Sequence, residues 1–145
     1  MEDFVNFEVA KKLKEKGFSC KYPFAMYDED GVFYPLFTSC DEDEDSKCIF
    51  GNRMYYDYDD FLKYKDAIIA PTISQVLKWL REEKEYHIEF VGNACGYLFI
   101  VSDIPSEGGT DRYCSDYSGP NDGGTWDKYE DCAIAGIEYV LDNLI

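Results

Sequence analysis

The chain has 145 residues, of which 46% are hydrophobic and 17% aromatic, enough for one folded domain or for two small halves sharing a core. Thirty Asp and Glu residues stand against 14 Lys and Arg residues, a formal charge of −16 at pH 7. Such an acidic surface repels nucleic acid backbones and anionic lipids, so we expect no direct binding to nucleic acid. No stretch approaches the roughly 18 apolar residues of a membrane span, and the start lacks a signal peptide, so we expect no membrane contact and a cytoplasmic location.

The excess negative charge is concentrated in two segments. Residues 25–70 and 91–145 each carry a net charge of −8, whereas residues 1–24 and 71–90 carry +1 and −1. Each near-neutral stretch therefore precedes a strongly acidic, aromatic-rich stretch. This distribution favours basic partners, cations or simple solubility.

In chain order, the first predicted element is a helix over residues 4–16. Asp3 is a candidate N-cap, and the lysines are crowded toward the C-terminal end, where they suit the helix dipole. Gly17 and Phe18 then have the order of a Schellman motif. The boundaries of this helix are therefore predicted at both ends.

Three strands are predicted for the next segment of the chain. Residues 20–27 and 32–38 flank a turn at 28–31, and residues 48–56 form a third strand that Gly51 and Asn52 weaken. Pro23 and Pro35 favour sheet edges or bulges. One helical turn is predicted at 59–64.

The second half begins with a predicted helix after Thr72, which forms a capping box with Gln75. The apolar stripe of this helix has the helical spacing i, i+3, i+4 and i+7, at Ile73, Val76, Leu77 and Leu80. Residues 86–91 alternate, with Ile88 and Phe90 on one face and His87 and Glu89 on the other. After a hairpin loop at 92–96, the strand at 97–101 is apolar on both faces, so we expect it to be central and buried.

The last two predicted elements are an edge strand over 110–117 and a helix capped by Asp127 with Glu130. The apolar stripe of that helix comprises Ala133, Ile134, Ile137, Leu141 and Leu144. The first half thus has the order α-β-β-β, and the second α-β-β-β-α. We predict an α+β fold with antiparallel sheet and helices on one face. Residues 1–145 form a single domain or two packed halves, 1–70 and 71–145, and a duplication stays open.

Three phrases of the sequence resemble one protein family. They are VAKKLKEKGF at 9–18, APT at 70–72 followed by WLRE at 79–82, and YEDCA at 129–133 followed by AGI at 135–137. Small uncharacterised proteins of phages and mobile elements of Bacteroides-type bacteria are similar in sharing a lysine-rich helix ending in Gly-Phe, an "APT…WLRE" helix and a closing "YEDA…AGI" helix. The resemblance implies a bacterial or phage setting and no particular chemistry.

An acidic run at 41–45 is the first candidate site. Asp41, Asp43 and Asp45 match the 1, 3, 5 spacing of an EF-hand loop, but Ser46 and Asn52 stand where that loop needs Gly and Glu. The sharp turn and the bidentate ligand are therefore missing. We interpret the run as a solvated loop and expect no metal site.

Catalytic motifs are weak throughout the sequence. The single histidine, His87, falls on the outward face of a strand without a nucleophile motif, so we interpret it as a surface residue. The six cysteines form no Cys-x-x-Cys pair, so we expect buried free thiols in a reducing cytoplasm. No cofactor and no catalytic residue is predicted. An enzyme with carboxylate chemistry in the 91–126 region stays an alternative.

The order α-β-β-β-α of residues 72–144 also matches the topology of double-stranded RNA-binding domains. Those domains need lysines at the start of the last helix to reach phosphates. This chain instead offers Asp127, Lys128, Glu130 and Asp131 there. The electrostatics therefore exclude RNA binding.

The last candidate site is a set of tyrosines interleaved with acidic residues. Tyrosine suits interfaces because it buries area while keeping a polar tip, although strand alternation alone can also place alternate tyrosines in a core. We predict a non-enzymatic protein whose acidic, Tyr-bearing face engages a basic protein partner, or in a sharper form mimics DNA and inhibits a nucleic-acid enzyme. The oligomeric state is left open. The candidate binding residues are Asp41, Glu42, Asp43, Tyr55, Tyr56, Tyr58, Asp59, Tyr113, Asp116, Tyr117 and Trp126.

Overall fold

In its described residues, the computed structural model combines three helices with antiparallel sheets, so the predicted α+β class is confirmed. Residues 4–72 form one compact unit, and residues 73–145 form a second that also includes Asp3. The structure describes residues 3–20, 24–35, 37–38, 48–50, 53–55, 67–103, 111–115, 118–121 and 124–145.

The first helix, α1 (Phe7–Glu15), begins three residues later than predicted. Asn6, not Asp3, is the N-cap: its extended backbone lets its side-chain oxygen accept a hydrogen bond from the Val9 N–H at 2.9 Å. At the other end, the Phe18 N–H donates to the Leu13 carbonyl at 2.9 Å, and Gly17 adopts a φ of 85°. The predicted Schellman motif is therefore confirmed.

A three-stranded sheet packs with α1 in the first unit, in the order β2-β1-β6: β1 (Ala25–Tyr27), β2 (Phe33–Pro35) and β6 (Ile68–Ile69). The predicted turn between β1 and β2 is confirmed, and the Asp28 carboxylate holds it by accepting from the N–H groups of Asp30 and Val32, both at 2.9 Å. The short strand β6 was not predicted.

A second sheet of this unit has the order β3-β4-β5: β3 (Phe37–Thr38), β4 (Cys48–Phe50) and β5 (Arg53–Tyr55). The predicted single strand over 48–56 is wrong, because β4 and β5 pair antiparallel with Cys48 opposite Tyr55. The predicted strand over 32–38 is likewise divided between β2 and β3, which belong to different sheets. The helical turn predicted at 59–64 lies outside the described residues.

In the second unit, α2 (Ile73–Glu83) begins directly after Thr72, as predicted. Ile73, Val76 and Leu80 are buried, but Leu77 is only half-buried and Trp79 takes its place in the core. The buried face is therefore rotated toward Trp79 relative to the predicted stripe. Burial of the larger indole ring removes more apolar surface from water than burial of a leucine.

The sheet of the second unit has the order β7-β8-β9, formed by β7 (Tyr86–Asn93), β8 (Gly96–Asp103) and β9 (Asp111–Cys114). β8 is central and β9 is at the edge, as predicted. The turn between β7 and β8 comprises only Ala94 and Cys95, because pairing continues as far as Asn93 opposite Gly96. The loop predicted at 92–96 is thus shorter than expected.

The two faces of this sheet differ in burial. Ile88, Phe99 and Val101 are buried on one face, whereas His87 and Glu89 are exposed on the other, as the alternation predicts. Leu98 and Ile100 share the open face and are half-buried. The expectation that β8 is buried on both faces is therefore wrong.

The last helix, α3 (Tyr129–Asn143), packs on the covered face of the sheet, and α2 contacts both β7 and α3. Gly136 permits this approach, since a Cβ there would lie 3.2 Å from side-chain atoms of Ile88 and Phe99. The predicted cap by Asp127 is wrong: Lys128 holds the N-cap position without a side-chain hydrogen bond. Ala133, Ile137 and Leu141 are buried as predicted, together with Cys132, Gly136 and Val140, whereas Ile134 and Leu144 are half-buried.

Candidate functional site

Aromatic side chains gather around Phe99 on the covered face of the sheet. The ring of Phe99 has centroid distances of 5.7 Å to Tyr113, 5.7 Å to Trp126 and 6.3 Å to Tyr139. Tyr113 and Tyr139 stack on each other with centroids 3.9 Å apart and ring planes 15° apart. Strand β9 and helix α3 thereby bring two half-buried tyrosines together at the side of the aromatic cluster.

The Tyr113 hydroxyl lies in an exposed position 2.6 Å from the Ser118 Oγ. Tyr113 therefore combines the two roles that the sequence left open: its ring belongs to the packed cluster, and its polar tip faces the surface. This hydrogen bond and the stacked Tyr139 ring hold the phenol in one orientation. A tyrosine ordered in this way loses little entropy when it binds a partner.

One side of α3 is acidic along its whole length. We call Asp131, Glu138 and Asp142 the acidic face of α3: their spacings of seven and four residues place them on one side of a helix. Asp131 and Asp142 are exposed, and Glu138 is half-buried. The helix also carries Glu130 and no basic residue. Tyr139 lies beside Glu138 and three residues from Asp142, so the tyrosine stack borders this acidic face.

A depression of about 480 Å³ lies at the β7–β8 turn, lined by residues 92–97 and Asp127. Hydrogen bonds connect its walls: the Cys95 carbonyl accepts from the Thr125 hydroxyl at 2.6 Å, and the Asn121 side-chain amide donates to the Asp127 carboxylate at 2.6 Å. Gly96, with a φ of 130°, is required here because a Cβ would clash with the Trp126 carbonyl oxygen. The one carboxylate in the lining is thus engaged in fixing the loop.

Tyr129 covers the end of the sheet, with its ring 4.9 Å from that of Phe90. Burial, and to a smaller extent the neighbouring Cys132 and Glu130, raises the pKa of its phenol. Burial also raises the pKa of the Cys132 thiol to about 11. Both groups are therefore protonated at neutral pH, and Cys132 is a poor nucleophile and a poor metal ligand.

Among the carboxylates of the 91–126 region, Asp103 is the one whose side chain the structure describes. It ends β8 and is half-buried. An enzyme with carboxylate chemistry in this region therefore stays an alternative.

Other reactive residues are dispersed. His87 is exposed, as predicted. Cys95, Cys114 and Cys132 are free thiols, and Cys132 is buried as expected. The expectation of burial is wrong for Cys95 and Cys114, which are exposed in the turn and on the open sheet face. In the part of the chain that the structure describes, no three His, Cys, Asp or Glu residues are grouped to hold a metal ion.

Of the candidate binding residues, Tyr113 and Trp126 are brought together around Phe99. Tyr55 lies in β5. The sequence reasoning missed Tyr139 and the acidic face of α3. The signal that could have found them is the helical spacing of acidic residues in a segment, 129–143, that contains no Lys or Arg. The other candidates lie outside the described residues: Asp41, Glu42, Asp43, Tyr56, Tyr58, Asp59, Asp116 and Tyr117.

Comparisons with protein-family models, curated proteins and solved structures gave no match to this chain. Similarity to proteins of phages and mobile elements thus stays a prediction. Within the described residues, no helix has the length and apolar character needed to cross a membrane.

Proposed function

We propose that this chain is a non-enzymatic binding protein that engages a basic protein partner through the acidic face of α3 and the adjoining Tyr113–Tyr139 stack. The observation that carries the proposal is the charge of α3, which has four acidic residues and no basic one across its 15 positions. A surface of one sign attracts a partner of the opposite sign and speeds its association.

Asp142 extends the acidic face into the last turn of α3. The helix dipole favours cations and disfavours carboxylates at that end of a helix. Helix α1 follows this preference, with Lys12 and Lys14 in its last turn. Helix α3 has no basic residue in its last turn, so its surface stays acidic up to its C-terminal end.

The tyrosine stack supplies the apolar area that a charged surface alone lacks. Interfaces are enriched in aromatic residues, which form a desolvated centre surrounded by polar groups. Tyr113 and Tyr139 are already ordered by their 3.9 Å stacking, so they enter a complex at low entropic cost. Acidic residues around such a pair suit a partner that presents Lys or Arg, because a guanidinium also stacks on aromatic rings.

A sharper form of the proposal is that the partner is a nucleic-acid enzyme and α3 occupies its basic cleft in place of DNA. A helix of 15 residues is about 22 Å long, and a duplex strand presents one phosphate per about 3.4 Å of its axis. The acidic face of α3, from Asp131 to Asp142, places three carboxylates along about 16 Å of the helix axis, or about five phosphate spacings. A cytoplasmic, bacterial setting of phage or mobile-element origin belongs to this proposal.

The test is a comparison of two variants with equal net charge. The first neutralises the acidic face of α3 with Asp131→Asn, Glu138→Gln and Asp142→Asn. The control neutralises three exposed glutamates elsewhere with Glu29→Gln, Glu82→Gln and Glu83→Gln. Basic proteins captured from a bacterial lysate at low salt are identified by mass spectrometry, and the affinity of each is then measured with purified protein.

We expect the α3 variant to lose about tenfold or more in affinity for the captured partner and the control to lose much less. Binding of the unmodified protein should weaken as salt rises. Equal losses in both variants would show that only total charge matters and would contradict the proposed surface. Competition by duplex DNA for the same partner distinguishes the DNA-mimic form from binding to another basic protein.

A further inference from the structure

Strand β7 presents a long edge of the sheet. Among the residues that the structure describes, β7 pairs only with β8, so this eight-residue strand borders the sheet. His87, Glu89 and Val91 on it are exposed. Natural edge strands are commonly protected by Pro, by Lys or by shortness. Residues 86–93 contain neither Pro nor Lys, and the strand is long, so it lacks these three protections.

The turn between β7 and β8 fixes which backbone groups of β7 point outward. In a two-residue hairpin the residues that flank the turn, here Asn93 and Gly96, form a hydrogen-bonded pair, and such pairs then alternate along the strands. Tyr97 agrees with this alternation, because it exchanges both backbone hydrogen bonds with Trp126 on the far side of β8, at 2.8 and 2.9 Å. The β7 residues whose N–H and C=O groups point away from β8 are therefore Tyr86, Ile88, Phe90 and Gly92.

We propose that β7 pairs with β7 of a second copy of this chain, antiparallel and centred on Ile88. In this register Ile88 faces itself and Tyr86 faces Phe90, and all three residues have their backbone groups directed outward. His87 then faces Glu89 of the second copy at a position without backbone hydrogen bonds, where cross-strand side chains are closest. The strand is therefore complementary to itself in backbone hydrogen bonds and in apolar side chains, and the His87 imidazole faces a carboxylate to which it can donate a hydrogen bond. Two three-stranded sheets become one of six strands.

The charge of the chain also favours this edge over the acidic segments 25–70 and 91–145. Two copies that each carry −16 repel one another wherever acidic segments meet. Residues 71–90, which contain α2 and most of β7, carry 3 basic and 4 acidic residues and are close to neutral. The acidic face of α3 belongs to a different element and does not enter this contact. The dimer is thus independent of the proposed binding function.

A charge-exchange series tests the pairing and its register, because His87 and Glu89 are exposed and their substitution spares the core. His87→Glu places Glu opposite Glu twice in the symmetric contact, whereas the double variant His87→Glu/Glu89→Lys places Glu opposite Lys twice. The two proteins and the unmodified chain are compared by sedimentation equilibrium in 0.05 and 0.5 M NaCl. Thermal unfolding of each verifies that the fold is retained.

We expect a concentration-dependent dimer of the unmodified chain that is stronger in 0.5 M NaCl, because salt screens the repulsion between two acidic molecules. His87→Glu should weaken it about tenfold, and the double variant should recover most of the loss. A chain that stays monomeric at the highest attainable concentration in both salts would overturn the proposal. A dimer that His87→Glu leaves unchanged would overturn it as well, since the contact would then lie elsewhere.

Discussion

The two units of this protein form their described cores in different ways. The unit of residues 73–145 combines two strands of eight residues with helices of 11 and 15 residues. The described strands of the unit of residues 4–72 are only two or three residues long. Long strands gain register from many paired positions, whereas short strands need additional contacts to fix them.

In the unit of residues 4–72, side chains supply those contacts. The buried Tyr27 hydroxyl donates to the Val5 carbonyl at 2.6 Å, and burial raises the pKa of this phenol. The rings of Phe4, Phe33, Tyr27 and Phe7 follow one another at centroid distances of 5.1, 5.6 and 5.5 Å. A capped helix and an Asp28-bonded turn complete the arrangement. Side-chain hydrogen bonds and aromatic contacts thus supplement the short strands of this unit.

The largest effect is expected from the apolar face of α2 in the second unit. Leu80 is fully buried, so Leu80→Ala should lower the free energy of unfolding by about 2–5 kcal/mol, through lost burial and the cavity left behind. Leu77→Ala is the matched control within the same helix. Because Leu77 is half-buried, this substitution should lower the free energy of unfolding clearly less. Urea unfolding followed by circular dichroism measures both. Equal losses at the two positions would place Leu77 in the core and contradict the rotated face of α2.

A smaller effect is expected at the N-cap of α1 in the first unit. Asn6→Ala removes the acceptor of the Val9 N–H and should cost about 1 kcal/mol, whereas Asn6→Asp keeps an acceptor and should cost little. Asp3→Ala should leave the free energy of unfolding nearly unchanged if Asn6 is the cap. Urea unfolding again provides the measurement. Loss of stability on Asp3→Ala, with none on Asn6→Ala, would restore the boundary that the sequence suggested.

The sequence predicted best those elements whose pattern repeats. The alternation over β7 and the Gly17–Phe18 end of α1 are confirmed. Helices α2 and α3 form where their apolar spacing predicts them, although Leu77, Ile134 and Leu144 of the predicted stripes are only half-buried. Predictions failed where the boundary of an element depended on a single residue and a nearby residue suited the same role. Asn6 and Asp3 are both good caps, and only the local backbone conformation selects Asn6. The division of 48–56 into β4 and β5 was not predicted, because Gly51 and Asn52 were interpreted only as a weakness of a single strand.

The candidate site was less accessible from sequence because it depends on tertiary pairing. Tyr113 was identified by its acidic surroundings, yet its stacking partner Tyr139 is 26 positions later in a helix whose buried face dominates the pattern. The open face of β8 was missed for a similar reason. An apolar sequence predicts a strand that is buried on both faces, but Leu98 and Ile100 of β8 are only half-buried. Periodicity assigns a residue to a face, but it does not show what covers that face.

The smallest expected effect concerns the two ends of α3. Asp142→Asn removes a carboxylate from the last turn and should raise the free energy of unfolding by about 0.3–1 kcal/mol at low salt, whereas Asp131→Asn removes one from the first turn and should lower it by a similar amount. Thermal unfolding in 0.02 and 0.5 M NaCl measures both, and salt should diminish both differences. If Asp142 serves a partner, Asp142→Asn should also weaken binding, so that stability and affinity change in opposite directions. A stabilised protein with unchanged affinity would remove Asp142 from the binding surface while leaving the dipole argument intact.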